Sequence, residues 1–227
     1  LSLKKSQSNL AIVFILMNID MAVFSFGYGW EILSTTVASA YLSIKFQYLG
    51  LAVLSIYWFT LTYKFKTNNY PSFKTYLYLT AVPTITIFMV MTNEYHNLFY
   101  TSLAIDKTTS FFHVDTGKGP FYYVFILYSY VVLVFMLISL YKSYKLNKHN
   151  LKLQNKLMFI ASIMPSTCNI VYLFGVTPNN FDPTPFGFLL MSYFCYRAVF
   201  EYAFLDLKDI IRGSTYDNID EGVFVLD

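Results

Sequence analysis

Asn93, Glu94 and His96 sit in the stretch MTNEYHNLFY, where an apolar run that begins near Tyr76 gives out. An amide, a carboxylate and an imidazole this close together can receive a small polar ligand. They can equally satisfy the last carbonyls of a helix through water. Metal binding is the weaker chemistry, because Glu-x-His supplies two ligands where zinc needs three or four. His113 and Asp115 would add to them only if the following loop folds back, so neither a metal nor a cofactor is expected. Tyr100, Tyr128 and Asn169 are candidate walls of a small-molecule site at the same end of the molecule. Both readings, ligand site and helix end, stand open at this point.

Three further charged residues fall where water is scarce. Asp20 lies in the middle of an apolar block, in LMNIDMAVF. A carboxylate at a bilayer centre costs roughly 2.5–3.5 kcal/mol on insertion scales, so it should face the bundle or a wet cavity. There it serves either as a switch or ligand contact, or as a hydrogen-bonded strut between helices. Arg197 and Glu201, spaced i, i+4, can pair with each other, in the less favourable charge order. Arg197 can also snorkel to headgroups, and the two can latch the bundle to an output helix. Pro83 and Pro165 each fall inside an apolar block, where proline frees carbonyls and kinks a helix.

The elements that hold these residues follow from composition. Of 227 residues, 56% are hydrophobic and 13% charged, where soluble domains carry about 25% charged residues. The apolar residues form six blocks, 9–31, 41–63, 75–93, 120–141, 156–176 and 184–205, each close to the ~20 residues that cross a bilayer as a helix. The fold class is therefore an all-α polytopic membrane bundle with six transmembrane helices. A soluble helical domain would show polar faces, and VFILYSYVVLVFMLISL has none. Porin-like alternation is absent. Aromatics make up 20% of the chain, and many tyrosines lie mid-span, where they should pack between helices or line a cavity.

Lys and Arg sort by loop. The N-terminus, the 64–74 and 142–156 connections and the tail after 205 hold 12 of them, and the opposite loops hold 3. The positive-inside rule puts the first set in the cytoplasm. The C-terminus is then cytoplasmic, and the protein is a multi-pass protein of the plasma (cytoplasmic) membrane. Glu31, Glu94, Asp106, Asp115, Asp182, His96 and His113 face out. The outer connection 94–119 is the longest on that side, and loops of that length are often functional. Cys168 and Cys195 fall inside spans and read as small buried side chains rather than a disulfide framework.

Other classes lose ground on specific absences. The sequence has no H-E-x-x-H, no Gly-x-Ser-x-Gly and no pair of mid-span aspartates, so the fragment is not expected to be an enzyme. No Lys lies between Lys156 and Lys208, which argues against a retinal Schiff base. A small-solute transporter or channel subunit is the alternative function; nine glycines and no internal repeat weaken it. Nucleic-acid binding has no support.

Four stretches carry a resemblance. VPTITIFMVMTNEYHNLFY resembles an apolar helix closing on a Thr-Asn-x-x-His-x-Leu-x-Tyr motif. ILYSYVVLV resembles a Tyr-Ser-Tyr helix, and IMPSTCNIVYLFGV a Pro-then-Asn helix. FDPTPFGFLLMSYFCYRAVFEYAFLDLKDIIR resembles an Asp-x-Thr-Pro start with a Leu-Leu-Asp-like exit. In this order they resemble the N-terminal seven-transmembrane sensor region of bacterial and archaeal sensor histidine kinases. One departure is the start of the Tyr-Ser-Tyr helix, FYYVFILYSY, where the family often has Trp or His. The resemblance implies a sensor bundle over 1–205, a cytoplasmic linker helix over 206–219 and the truncated start of a PAS-like domain over 220–227. It also implies that the family's first helix is missing from this sequence. The implied partners are the lipid bilayer, an unknown small-molecule ligand, a downstream cytoplasmic PAS/kinase domain and a second copy of the chain as a homodimer.

Overall fold

The computed structural model describes residues 2–67, 69–106, 113–146 and 149–202. Lys107, Lys148, the expected linker helix 206–219 and the expected PAS-like segment 220–227 lie outside the described residues. The chain forms α1 (Ser2–Ile32), α2 (Val37–Thr67), α3 (Phe73–Met91), a one-turn α4 (Asn93–His96), strands β1 (Tyr100–Asp106) and β2 (His113–Lys118), α5 (Pro120–Leu146), α6 (His149–Leu173) and α7 (Thr184–Tyr196). A short 3-10 turn, Pro178–Asn180, precedes α7, and a π-helical segment, Arg197–Tyr202, continues it. The first five predicted apolar blocks fall mainly on α1, α2, α3, α5 and α6 in turn, and the sixth on α7 and its continuation.

Among the described residues, five helices are long and apolar enough to cross a membrane: Leu10–Ile32, Val37–Lys64, Phe73–Met91, Pro120–Lys145 and Lys152–Leu173. The sixth expected span is shorter as an α-helix, 13 residues, and reaches farther only through its π continuation. Large side chains recur at helical spacing on exposed faces, as with Ile12, Ile15 and Ile19 on α1 and Val131, Val134, Phe135 and Ile138 on α5. Such stripes suit hydrocarbon rather than water.

The helices close into a ring. α1 packs on α2, α2 on α3 and α5, α5 on α6, α6 on α7, and α7 returns to α1. Two close approaches set the spacing. A Cβ on Gly50 would collide with the Asp20 carbonyl, so α1 and α2 touch backbone to backbone there; a Cβ on Gly187 would lie 2.6 Å from Pro165 Cα, so α6 and α7 do the same.

The expected long outer loop is largely a hairpin. β1 and β2 pair antiparallel from Tyr100↔Lys118 to Asp106↔His113, with a register shift between Tyr100 and Ser102. The hairpin folds back into the bundle mouth. Phe99 is fully buried, with Tyr100 and Val114 nearly so. The Phe99 ring meets Tyr48 at 5.0 Å, Tyr100 at 5.1 Å and Tyr122 at 5.8 Å, all edge-to-face, the geometry aromatic quadrupoles favour.

Candidate functional site

Below the hairpin lies a cavity of about 90 Å³. α1 contributes Tyr28 and Glu31, α2 Gln47 and Tyr48, the hairpin Tyr100 and Lys118, α5 Tyr122, α6 Asn169 and Tyr172, and the segment entering α7 Asp182 and Thr184. The volume is enough for several waters or a small solute.

Its charged groups are held from different elements. Gln47 Nε2 donates to Glu31 Oε2. Asp182 is buried; its Oδ1 accepts from the Thr184 N–H at 2.8 Å, and its own N–H donates to Tyr28 Oη at 2.6 Å. Burial pushes the Asp182 carboxyl above its ordinary value, while Thr184 and the charge of Lys118 pull the other way. The Lys118 ammonium lies 4.6 Å from the Tyr122 ring centre and 5.1 Å from that of Tyr100, within cation–π range. Tyr48 and Tyr100 share a hydroxyl–hydroxyl bond of 3.0 Å. Burial raises the Tyr100 phenol well above its usual range, so it works as a neutral donor and acceptor.

A second chamber of about 170 Å³ lies deeper in the bundle, walled mainly by apolar side chains such as Leu54, Trp58, Met136 and Phe188. Leu51, Phe125, Ile126, Asn169 and Thr184 line both chambers. The two are adjoining rooms, one polar and one apolar.

Of the residues expected to contact ligand, the structure brings Tyr100 and Asn169 into the polar chamber. Asn169 Oδ1 accepts from Tyr130 Oη at 2.9 Å. Asn93, Glu94, His96 and Tyr128 line neither chamber. Asn93 is buried, its Nδ2 donating to the Tyr100 carbonyl and its Oδ1 accepting from the Phe99 and Tyr100 N–H groups, at 2.9–3.1 Å. Glu94 forms an exposed ion pair with Lys45 at 2.6 Å. His96 Nδ1 accepts from the Leu98 N–H at 3.0 Å, which leaves Nε2 as the protonated nitrogen facing Thr92 Oγ1 at 3.1 Å. These three hold the chain as it turns from α3 into β1.

Tyr128 answers Pro83. Proline has no N–H to offer the carbonyl four residues back, and here that carbonyl belongs to Leu79. Tyr128 Oη donates to it at 2.7 Å. Tyr128→Phe is therefore expected to destabilise the bundle by about 1–2 kcal/mol, since a buried carbonyl loses its partner. Urea unfolding in micelles measures this, and an unchanged midpoint would show that Leu79 finds water instead.

Asp20 lies in α1 near the α1–α2 close approach. Its Oδ2 is buried and has no hydrogen-bond partner among the described residues, so the expected interhelical hydrogen bond is not made there. An unpartnered buried oxygen costs about 1–3 kcal/mol. Asp20→Leu is expected to be neutral or to raise the unfolding midpoint; a clear loss of folded protein would restore the strut reading. Asn18, two residues earlier, does bridge helices: Ser192 Oγ on α7 donates to its Oδ1. Arg197 donates to Tyr193 Oη at 2.9 Å. The Glu201 side chain lies outside the described residues. Of the cysteines, Cys195 is buried and Cys168 partly so.

The residues that sequence reasoning did not select as ligand contacts are Tyr28, Glu31, Gln47, Tyr48, Lys118, Tyr122, Tyr172 and Asp182. Glu31 and Asp182 did carry a signal, as acids counted to the outer side by the charge rule.

The helices thus form a polytopic bundle with a polar chamber at one mouth that reaches the start of α7. The family model described as the N-terminal 7TM region of histidine kinase matches residues 1–208, and the chain belongs to that family. It is thus a multi-pass membrane protein of the sensory, non-catalytic part of such kinases. No curated protein and no solved structure matches it.

Proposed function

We propose that the hairpin end faces outward, that the polar chamber receives a small ligand there, and that α7 carries the signal to a cytoplasmic PAS/histidine kinase output. One observation supports this most directly. Asp182 lines the chamber and, two residues before α7, holds the first N–H of that helix. Whatever changes the surroundings of Asp182 acts on the start of α7. From there α7, with the residues just before it and the π segment after it, meets α1 at successive levels: Phe181 against Tyr28 at 5.7 Å, Phe188 against Phe24 at 5.4 Å, Ser192 bonded to Asn18, and Phe200 against Phe14 at 5.6 Å. A coupling of a few kcal/mol between such contacts and an output domain is enough for signalling.

Two experiments test this. With Cys168 and Cys195 replaced, Tyr95→Cys at the hairpin end and Asn69→Cys at the opposite end should label from opposite sides. An impermeant thiol reagent outside should reach only position 95; labelling at 69 alone would invert the orientation. In a protein that joins this chain to a histidine kinase output, Asn18→Cys with Ser192→Cys should form a disulfide that locks α1 to α7. The expected result is a changed autophosphorylation rate that reductant restores. Identical rates in the locked and reduced forms would overturn α7 as the output path.

A further inference from the structure

We propose that the ligand of the polar chamber is a small amphiphilic amine, its ammonium among Glu31, Asp182 and the tyrosines and its aryl or short alkyl tail in the apolar chamber below. This rests on the reading of the cavity as a ligand site. Among the described residues, the polar chamber sets two carboxylates against one ammonium, that of Lys118, so it has room for a further positive charge. Carboxylates from α1 and the α7 entry, in a chamber that Tyr28, Tyr122 and Tyr172 also line, recognise a cation by ion pairing and by ring quadrupoles. An anion would meet two like charges in a confined space where they are poorly screened.

The tail follows from the second chamber. At about 170 Å³ it compares with the ~150 Å³ apolar cavity that takes up benzene. Trp58 in its lining, 4% exposed, buries its indole N–H with no hydrogen-bond partner among the described residues. Buried polar atoms are nearly always satisfied. An aromatic ring in that chamber gives the Trp58 N–H a π acceptor.

The test uses the chain in phosphatidylcholine nanodiscs, with thermal unfolding and calorimetry as readouts. The probes are 2-phenylethylamine, the neutral 2-phenylethanol and the anionic 3-phenylpropionate, which share size and differ in charge. The amine should raise the unfolding temperature saturably and the other two should not. Glu31→Gln and Asp182→Asn should each weaken the amine at least about tenfold, the direction expected when one partner of a buried charge pair is removed. Ser129→Leu, which fills the apolar chamber, should remove phenylethylamine binding and leave that of methylamine. Equal or greater stabilisation by phenylpropionate would overturn the charge assignment. An amine response unchanged in both acid variants would mean partition into lipid only, and would overturn the site. The comparison of the three probes on the unaltered chain stands even if a variant fails to fold. The α1–α7 disulfide experiment uses no ligand, so failure here is distinct from failure of the signalling reading.

Discussion

Replacing Asn93 by Ala is expected to cost the folded bundle about 3 kcal/mol or more. The side chain makes three hydrogen bonds to the backbone of Phe99 and Tyr100, in a site where Asn93 is 2% exposed. Alanine would leave two N–H groups and one carbonyl without partners, each costing about 1–3 kcal/mol when water cannot reach it. The loss should be local first: Phe99 and Tyr100 leave the aromatic cluster, and the hairpin lifts from the mouth. Asn93→Asp keeps the acceptor and loses the donor, so it should fall between wild type and Ala. Denaturant unfolding in micelles gives the free energies, and protease sensitivity near β1 reports the hairpin. A loss under about 1 kcal/mol would mean that Gly119, whose N–H donates to the Phe99 carbonyl at 2.8 Å, holds the hairpin without Asn93's help.

Gly187→Val should be the other severe change. The added Cβ falls 2.6 Å from Pro165 Cα and 3.1 Å from Cys168 Sγ. The first contact is backbone, which cannot rotate away, so α6 and α7 must separate. Overpacking of this kind costs about 1–3 kcal/mol. The separation should also move Thr184 and the floor of the apolar chamber. Gly187→Ala should show the same effect more weakly, and Cys168→Ala combined with Gly187→Ala should recover only the sulfur's share. Full stability of Gly187→Val would show that the two helices do not depend on this approach.

The helices were legible because a bilayer asks for length and apolarity, both of which composition displays. The expected block 120–141 and α5, Pro120–Leu146, share their first residue. The hairpin was not legible. Phe99, Tyr100 and Val114 read as loop residues near an apolar run, and only their insertion among Tyr48 and Tyr122 makes them core. The chamber was half legible. Tyr100 and Asn169 were reached by asking which helix ends share a side. Tyr28 and Asp182 are hydrogen-bonded across 154 residues of sequence, a pairing set by ring closure and by no local spacing. Asn93 and His96 had the composition of a binding motif because chain reversal also needs groups that donate and accept at short range.

The π-helical segment Arg197–Tyr202 governs azimuth. A π turn encloses one residue more than an α turn, so by the end of the segment side chains are offset around the axis by up to roughly one residue's ~100° from where an unbroken α-helix would carry them. Ala198 and Val199 remain buried in this segment, which keeps it seated against α6. If the extra residue is absorbed into regular α turns, Phe200 swings around the axis away from Phe14 by a comparable angle and shifts about 1.5 Å along it, a screw motion rather than a piston stroke.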